Sequence, residues 1–186
     1  MIKHTFYIAL FSLCIITPST HLQAAPIYNV QAGLLVGIQN IEINGSAYDV
    51  SFIDGVLENE FNLADPFLFD GSAANDASLA LLNAMSDVSE GNFDTQPTLT
   101  RGCAGDNCVI HTPFVYEFGY VSTHWFRNAM QELDDERGTA DLTADFNSSG
   151  LAVVYADWQV SAVPVPAALW LFISGLLALG FTLRRQ

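Results

Sequence analysis

One acidic stretch has the residue types and spacing of a calcium-binding loop. Residues 145–150 (Asp-Phe-Asn-Ser-Ser-Gly) place oxygen-bearing side chains at positions one, three and five of such a loop and glycine at position six. Asp145 and Asn147 of this stretch, together with Asp141 four residues before it, are therefore candidate ligands. Position twelve is Ala156 where a bidentate Glu is needed, and the residues after the loop have the pattern of a strand. A turn explains the same residues, so we expect no cofactor and keep calcium as the alternative.

The other residues that could carry out chemistry do not form a catalytic pattern. His111 and His124 are the histidines between residues 25 and 162, and neither has a second ligand at the spacing of a zinc-binding helix. No serine lies in a Gly-x-Ser-x-Gly elbow. Two facing carboxylates could hydrolyse a glycosidic bond, but the sequence does not select one pair from its 20 Asp and Glu residues. We therefore predict no enzymatic activity, with a small secreted hydrolase that uses a carboxylate pair as the alternative.

The segment between residues 25 and 162 is strongly acidic. It holds all 20 Asp and Glu residues against Arg101, Arg127 and Arg137, which gives a formal charge of −17, and it contains no lysine. Such a field repels nucleic acids and anionic membrane surfaces and attracts divalent cations and basic partners. Nucleic acid is therefore excluded as a partner.

The first 24 residues have the pattern of a signal peptide. A basic start at Lys3 precedes an apolar run from Phe6 to Ile16, and Ala24 is a small residue before the cut expected at Ala25. We expect export through the Sec translocase.

Cys103 and Cys108 are the cysteines that remain after this cut. Four residues including Gly105 separate them and allow the chain to turn back on itself. Because exported proteins fold in an oxidising compartment, the pair predicts a local disulfide. A zinc site would need two more ligands, and only His111 lies near.

The last 24 residues combine two prolines, an apolar run and a basic end. Pro164 and Pro166 remove backbone donors and favour an extended segment. Residues 167–183 carry no charge and would reach about 26 Å as a helix, which is the short limit of a bilayer span. Arg184 and Arg185 follow, so the positive-inside rule predicts a cytoplasmic C-terminus.

Together these elements resemble the PEP-CTERM/VPLPA-CTERM sorting signal of Gram-negative bacteria. The matching residues are the Pro164-Val165-Pro166-Ala167 motif, Trp170, Gly175 with Gly180 inside the apolar run, and the Arg184-Arg185 end. The resemblance implies that a membrane exosortase recognises the Pro-x-Pro motif and removes the helix during export. Val165 replaces the acidic residue between the prolines, which leaves the exosortase subtype open. A plain C-terminal membrane anchor is the alternative.

The resemblance also implies where the protein works. It predicts an extracellular or cell-surface protein, anchored transiently in the inner membrane and associated with exopolysaccharide and biofilm. The implied partners are the Sec translocase, the exosortase and exopolysaccharide or surface components. Residues 45–55 look like the N-terminal region of many short exosortase substrates, a group without an established activity. A calcium-dependent binding module is a further alternative for the function.

Apolar and polar residues alternate in several segments and predict strands. Ile41–Ile43 and Tyr48–Phe52 read as a hairpin joined by Asn44-Gly45. Residues 109–127 predict one or two strands around Gly119, and residues 151–160 predict a last strand. The aromatic residues of these segments could stack on a sugar ring, but their apolar surroundings favour core packing; they are Tyr116, Tyr120, Trp125 and Trp158. Residues 128–133 could form a short helix, and residues 134–145 are predicted to be an acidic loop.

Residues 75–88 have helical spacing. Asn75 or Asp76 is expected to cap the start, and Gly91 to end the helix. One face is apolar and consists of Ala77, Ala80, Leu81, Ala84, Met85 and Val88. The predicted fold class is α+β, a small antiparallel sheet with one helix. The predicted organisation is a signal peptide (1–24), an acidic domain (25–162) and a sorting signal with a single transmembrane helix (163–186).

Overall fold

The computed structural model describes residues 25–86, 91–130 and 136–162. The predicted signal peptide and the predicted sorting signal lie outside the described residues. The elements in chain order are β1 (Ile27–Gln31), β2 (Leu34–Ile43), β3 (Ser46–Ile53), α1 (Leu57–Glu60), α2 (Gly71–Ser86), a 3-10 turn (Pro97–Leu99), β4 (Asn107–Glu117), β5 (Tyr120–Ala129), β6 (Glu136–Thr143) and β7 (Val153–Val160). No helix among these residues is long and apolar enough to cross a membrane.

The described strands form one seven-stranded sheet in the order β1-β2-β3-β7-β4-β5-β6. Neighbouring strands are antiparallel except β4 and β7, which pair in parallel from Val109–Val153 to His111–Tyr155. With helix α2 packed on the sheet, the predicted α+β class is confirmed. The expectation of a purely antiparallel sheet is wrong at one pair, because β7 enters between β3 and β4 with the direction of β4. The carboxyl ends of β4 and β7 consequently lie at the same end of the sheet.

Tight turns of one geometry connect the hairpins. Ala32-Gly33, Asn44-Gly45 and Phe118-Gly119 each have positive φ at both residues, with values of 51° and 83°, 52° and 82°, and 53° and 85°. This is the turn whose twist matches that of antiparallel strands. The predicted hairpin at Asn44-Gly45 is therefore confirmed. The strand β1 and its turn were not predicted, because Ala32 lacks the preference of Asn for this conformation.

Helix α2 starts earlier than its sequence pattern suggests. The Asp70 carboxylate accepts a hydrogen bond from the Ala73 N–H at 2.9 Å, so Asp70 caps the helix and the predicted caps at Asn75 and Asp76 are wrong. The predicted apolar face is confirmed at Ala77, Leu81 and Met85, which are buried, and Ala80 and Ala84 pack against the same core. Val88 lies outside the described residues.

The predicted acidic loop at residues 134–145 is wrong over most of its length. Residues 136–143 form β6, an edge strand paired with β5 along its full length. Half-buried Gly138, Ala140 and Leu142 alternate with exposed residues on this strand. The charges of Glu136 and Asp141 occupy its exposed positions and obscure this alternation in the sequence. The predicted short helix at 128–133 is wrong at its start, where Asn128 and Ala129 belong to β5, and residues 131–133 lie outside the described residues.

Both faces of the central sheet are covered. The main core lies between α2 and one face and includes Phe52, Ile110 and Phe126. A second core covers the other face, where Leu57, Val121 and Tyr155 are fully buried. The segment that contains α1 therefore packs on the face opposite to α2. The chain must pass from one face to the other between the two helices.

Candidate functional site

Residues 61–70 make this passage beside the carboxyl ends of β4 and β7. Phe61 packs edge-to-face on Tyr155 with ring centroids 6.0 Å apart, and Phe69 packs on Trp158 at 5.6 Å. Tyr155 and Trp158 are an odd number of residues apart on one strand, so their side chains point to opposite faces. Because β4 and β7 stop pairing at Tyr155, the crossing segment (residues 61–70) lies over a gap between the two strands.

Two open clefts flank the crossing segment. The first has a volume of about 300 Å³, and its lining includes Phe61, Asp65, Phe67, Asp157 and Trp158. The second has a volume of about 480 Å³ and its lining includes Asp65, Asp70, Phe114 and Tyr116. Aromatic rings beside carboxylates suit a neutral polyol or a cation, because rings stack on C–H groups or positive charge and carboxylates accept hydrogen bonds.

Of the two acids that line the first cleft, Asp157 is the more buried. Its half-buried carboxyl has a raised pKa because burial disfavours the charged form, and a hydrogen bond with Gln159 opposes the shift. Asp65 is exposed, and its Oδ2 accepts a hydrogen bond from Asn62 Nδ2 at 2.7 Å. Asp65 and Asp157 both line the first cleft.

His111 is part of a buried polar chain and does not line either cleft. Its Nδ1 lies 2.8 Å from Thr123 Oγ1, and the Thr123 hydroxyl donates to the Ala140 carbonyl at 3.1 Å. Because the hydroxyl proton is used there, Nδ1 of His111 carries the hydrogen and Nε2 does not. Burial lowers the pKa of His111 to about 4, so the ring is neutral at physiological pH. His124 is half-buried and stacks on Phe114 with centroids 5.1 Å apart.

The candidate calcium ligands are engaged elsewhere. Asp141 Oδ1 accepts a hydrogen bond from the Ser122 hydroxyl at 2.6 Å, and Asn147 Oδ1 accepts one from the Ser149 N–H at 3.0 Å. Asp145 is exposed in the turn after β6. In the part of the chain that the structure describes, no three or more His, Cys, Asp or Glu residues are placed to hold a metal ion.

Ser148 fixes this turn against the end of β3. The fully buried Ser148 hydroxyl donates to Asp54 Oδ1 at 2.7 Å and accepts from the Gly55 N–H at 2.9 Å. The Ser148 N–H donates to the Gly55 carbonyl at 2.9 Å. The Leu151 N–H donates to the Ser148 carbonyl at 2.9 Å, which closes the turn before β7.

The other predicted site residues are placed as follows. Cys103 and Cys108 lie at disulfide spacing, with their Cα atoms 5.4 Å apart. The sorting motif Pro164, Val165, Pro166 and Ala167 and the basic residues Arg184 and Arg185 lie outside the described residues.

The predicted aromatic core positions divide into two groups. Trp158 is 7% exposed and donates from Nε1 to Thr112 Oγ1 at 3.3 Å, so its core packing is confirmed. Tyr116 and Tyr120 are 40% and 52% exposed, and the prediction is wrong for them because the β4–β5 hairpin extends beyond the covering segments. Trp125 is half-buried and packs over Gly138.

Two features of the site were not predicted from the sequence. Asp157 could have been noticed as unusual, because it is the single carboxylate in a mostly apolar strand and lies between Ala156 and Trp158. Nothing in the sequence marks Phe118, at the tip of the β4–β5 hairpin, as an exposed residue.

No protein-family model matches the chain, and comparisons with curated proteins and with solved structures also found no match. The function must therefore be argued from the residues themselves.

Stability should decrease on acidification because His111 is buried as the neutral ring. Its pKa is about 4 in the folded protein against 6.5 for the free side chain. Its contribution is fully present above pH 6.5 and is lost as the pH falls towards 4. Between pH 7.5 and pH 5 this group should remove about 2 kcal/mol from the free energy of unfolding, measured by urea titration. The raised pKa of Asp157 acts in the opposite sense at the acid end.

The variant His111→Asn keeps a donor near Thr123 but does not titrate. It should be less stable at pH 7.5, and most of the pH-dependent loss should disappear. The matched control His124→Asn should retain that loss. If the free energy of unfolding falls equally between pH 7.5 and pH 5 in wild type and in His111→Asn, the loss does not come from His111.

Proposed function

We propose that the protein is exported, anchored by its C-terminal helix, cut by an exosortase near Pro164–Pro166, and then acts as a non-enzymatic surface or matrix protein associated with exopolysaccharide. The observation that carries this proposal is the ordered tail. A Pro-x-Pro motif, an uncharged run over residues 167–183 and an arginine pair follow one another in the sequence. An anchor alone needs no paired prolines.

The described domain supports this proposal in three ways. Cys103 and Cys108 lie at disulfide spacing, which suits an oxidising compartment. None of the acidic side chains in the described ranges is among the buried residues, so the negative charge is distributed over the surface. The chain that leads to the tail leaves from β7, which lies between β3 and β4 in the sheet order, pairs with β4 from Val153 to Tyr155 and pairs with β3 from Tyr155 to Val160. A membrane anchor would therefore hold the domain by an interior strand.

One observation favours a second candidate, the secreted hydrolase. Asp65 and Asp157 line the same cleft, and the Asp157 carboxyl has the raised pKa that a general acid needs. We therefore keep the hydrolase as the second candidate.

Processing can be read from the mass of the mature protein. In an exosortase-competent cell the wild-type protein should lack the Arg184-Arg185-Gln186 end, and a variant with Pro164→Ala and Pro166→Ala should retain it, because the extended form that a protease groove accepts is lost. Intact-mass spectrometry distinguishes the two. Pro66→Ala changes a proline of the folded domain and should be processed as wild type. An intact wild-type C-terminus would contradict the proposal.

The two function classes separate in a complementation experiment. Deletion of the gene should reduce biofilm or floc formation, measured as retained biomass. A variant with Asp65→Asn and Asp157→Asn should restore it to the wild-type level, because a matrix protein needs no acid pair. The double proline variant should not restore it. Failure of the Asp65/Asp157 variant, at wild-type levels of secreted protein, would favour the hydrolase.

Calcium should stabilise the domain no more than magnesium does. At a charge of −17, both ions relieve self-repulsion at equal ionic strength. A true site occupied at 100 times its dissociation constant would add about 2.7 kcal/mol. We expect equal shifts of the melting temperature in the two salts. If the melting temperature rises more in calcium than in magnesium, and Asp145→Asn removes the difference, the alternative of a calcium-dependent binding module is correct.

A further inference from the structure

The tip of the β4–β5 hairpin carries three exposed aromatic rings. Phe118 at the apex is 96% exposed, and Tyr116 and Tyr120 are 40% and 52% exposed. Tyr120 pairs with Glu117 and Tyr116 with Val121, so the two tyrosines lie on opposite faces of the ribbon. The aromatic tip (residues 116–120) therefore presents rings at its apex and on both sides.

The turn itself does not require a phenylalanine. Phe118 has a φ of +53°, a left-handed conformation that is less favourable for a bulky residue than for glycine. The chain uses Asn44 with the same geometry in the β2–β3 turn and Ala32 in the β1–β2 turn. An exposed ring in a strained position lowers stability, and such positions are retained where the side chain has a role outside the fold.

The tip lies at the end of the sheet from which the C-terminal tail leaves. The parallel register aligns His111 of β4 with Tyr155 of β7. Because the two strands run in the same direction, Glu117 at the end of β4 and Ser161 just after β7 lie towards the same end of the sheet. The exit is fixed, because the Ser161 N–H donates to the Ala47 carbonyl at 3.0 Å and its hydroxyl donates to the Asp49 carboxylate.

The distance from this exit to the membrane is short. Ala162 and Ala167, where the uncharged run begins, are separated by five residue steps, which span at most about 18 Å when fully extended. A domain anchored by residues 167–183 must therefore hold its tail end, with Phe118 and both tyrosines, near the bilayer surface.

We propose that the aromatic tip docks into the lipid interface of the bilayer that the tail enters, and orients the domain while the Pro164–Pro166 segment is presented for cutting. This inference rests on the anchored stage of the proposed function. Tyrosine and phenylalanine suit this region, because their rings replace water contacts at the level of the headgroups. The lipid headgroups must be zwitterionic, because Glu117 and a domain charge of −17 are repelled by anionic lipids.

The contact adds a second attachment to the one that the tail provides. A single tether would leave the domain free to rotate about residues 163–166. With the tip docked, the exit strand β7 keeps one orientation to the membrane, and the Pro-x-Pro segment is held between two fixed points. A weak contact suffices because the tail makes it intramolecular.

A spin label can measure the depth of the tip. The chain is purified with its tail intact from cells that lack exosortase, and it is reconstituted into phosphatidylcholine vesicles. A nitroxide is attached at Glu117→Cys, which leaves the three rings in place. The control label is at Ala32→Cys, in the same type of turn at the opposite end of the sheet. Oxygen collides more with a label in lipid and a nickel chelate more with a label in water.

We expect the oxygen-to-nickel accessibility ratio to be severalfold higher at position 117 than at position 32. The ratio at 117 should fall to the control value in Phe118→Asn, and it should fall when anionic lipid is added. Because Asn suits the turn, Phe118→Asn should raise the melting temperature, so loss of the signal cannot come from unfolding.

The alternative outcomes separate the two proposals. If the chain floats with the vesicles but the oxygen-to-nickel accessibility ratios at positions 117 and 32 are equal, the docking of the tip is wrong and the anchoring is unaffected. Spin–spin broadening at 117 would show that the tip meets a second copy of the chain, and would also overturn it. A chain with an intact tail that does not float with the vesicles would overturn the anchored stage and this inference together.

Discussion

The parallel entry of β7 between β3 and β4 is the interaction on which the rest of the structure depends. It joins the N-terminal strands β1–β3 to the C-terminal strands β4–β6, which otherwise share no strand pairing among the described residues. Tyr155, at the last paired position of β4 and β7, is the centre of the second core. Because the parallel pairing stops there, the two strands separate, and the crossing segment 61–70 covers the gap. The clefts, Asp157 and the exit of the tail all follow from this arrangement.

Several polar groups are buried close to β7 in this small domain. Two of these groups have specific partners: His111 is held by Thr123, and Ser148 by Asp54 and Gly55. Hydrogen bonds of this kind offset the cost of removing a polar group from water. The acids stay at the surface, where water and counterions reduce their mutual repulsion. The domain thus combines an apolar interior with a surface that repels anions, which fits a partner that is neutral or basic.

The sequence predicted local features and missed distant ones. Asn44-Gly45 predicts its hairpin because the turn conformation depends on these two residues alone. The face of α2 follows from helical spacing, but its start does not, since Asp70-Gly71 has the composition of a turn while Asp70 acts as a cap. The β4–β7 pair joins residues more than 40 positions apart, and no local pattern encodes the choice of neighbour. For the same reason Asp157 could not be assigned to a cleft. The sorting residues form one continuous segment outside the described residues, so their assignment needs no fold and stays a prediction.

The central claim is that β7 is an interior strand that carries the tail, and amide hydrogen exchange tests it most directly. Backbone amides of β7 that bond to β3 or β4 should exchange only through global unfolding, with rates as slow as those of Ile110 and Phe126 in the main core. Amides of the edge strand β1 should exchange faster. Exchange of the β7 amides at the rate of β1 would mean that the strand detaches independently, and would contradict the account.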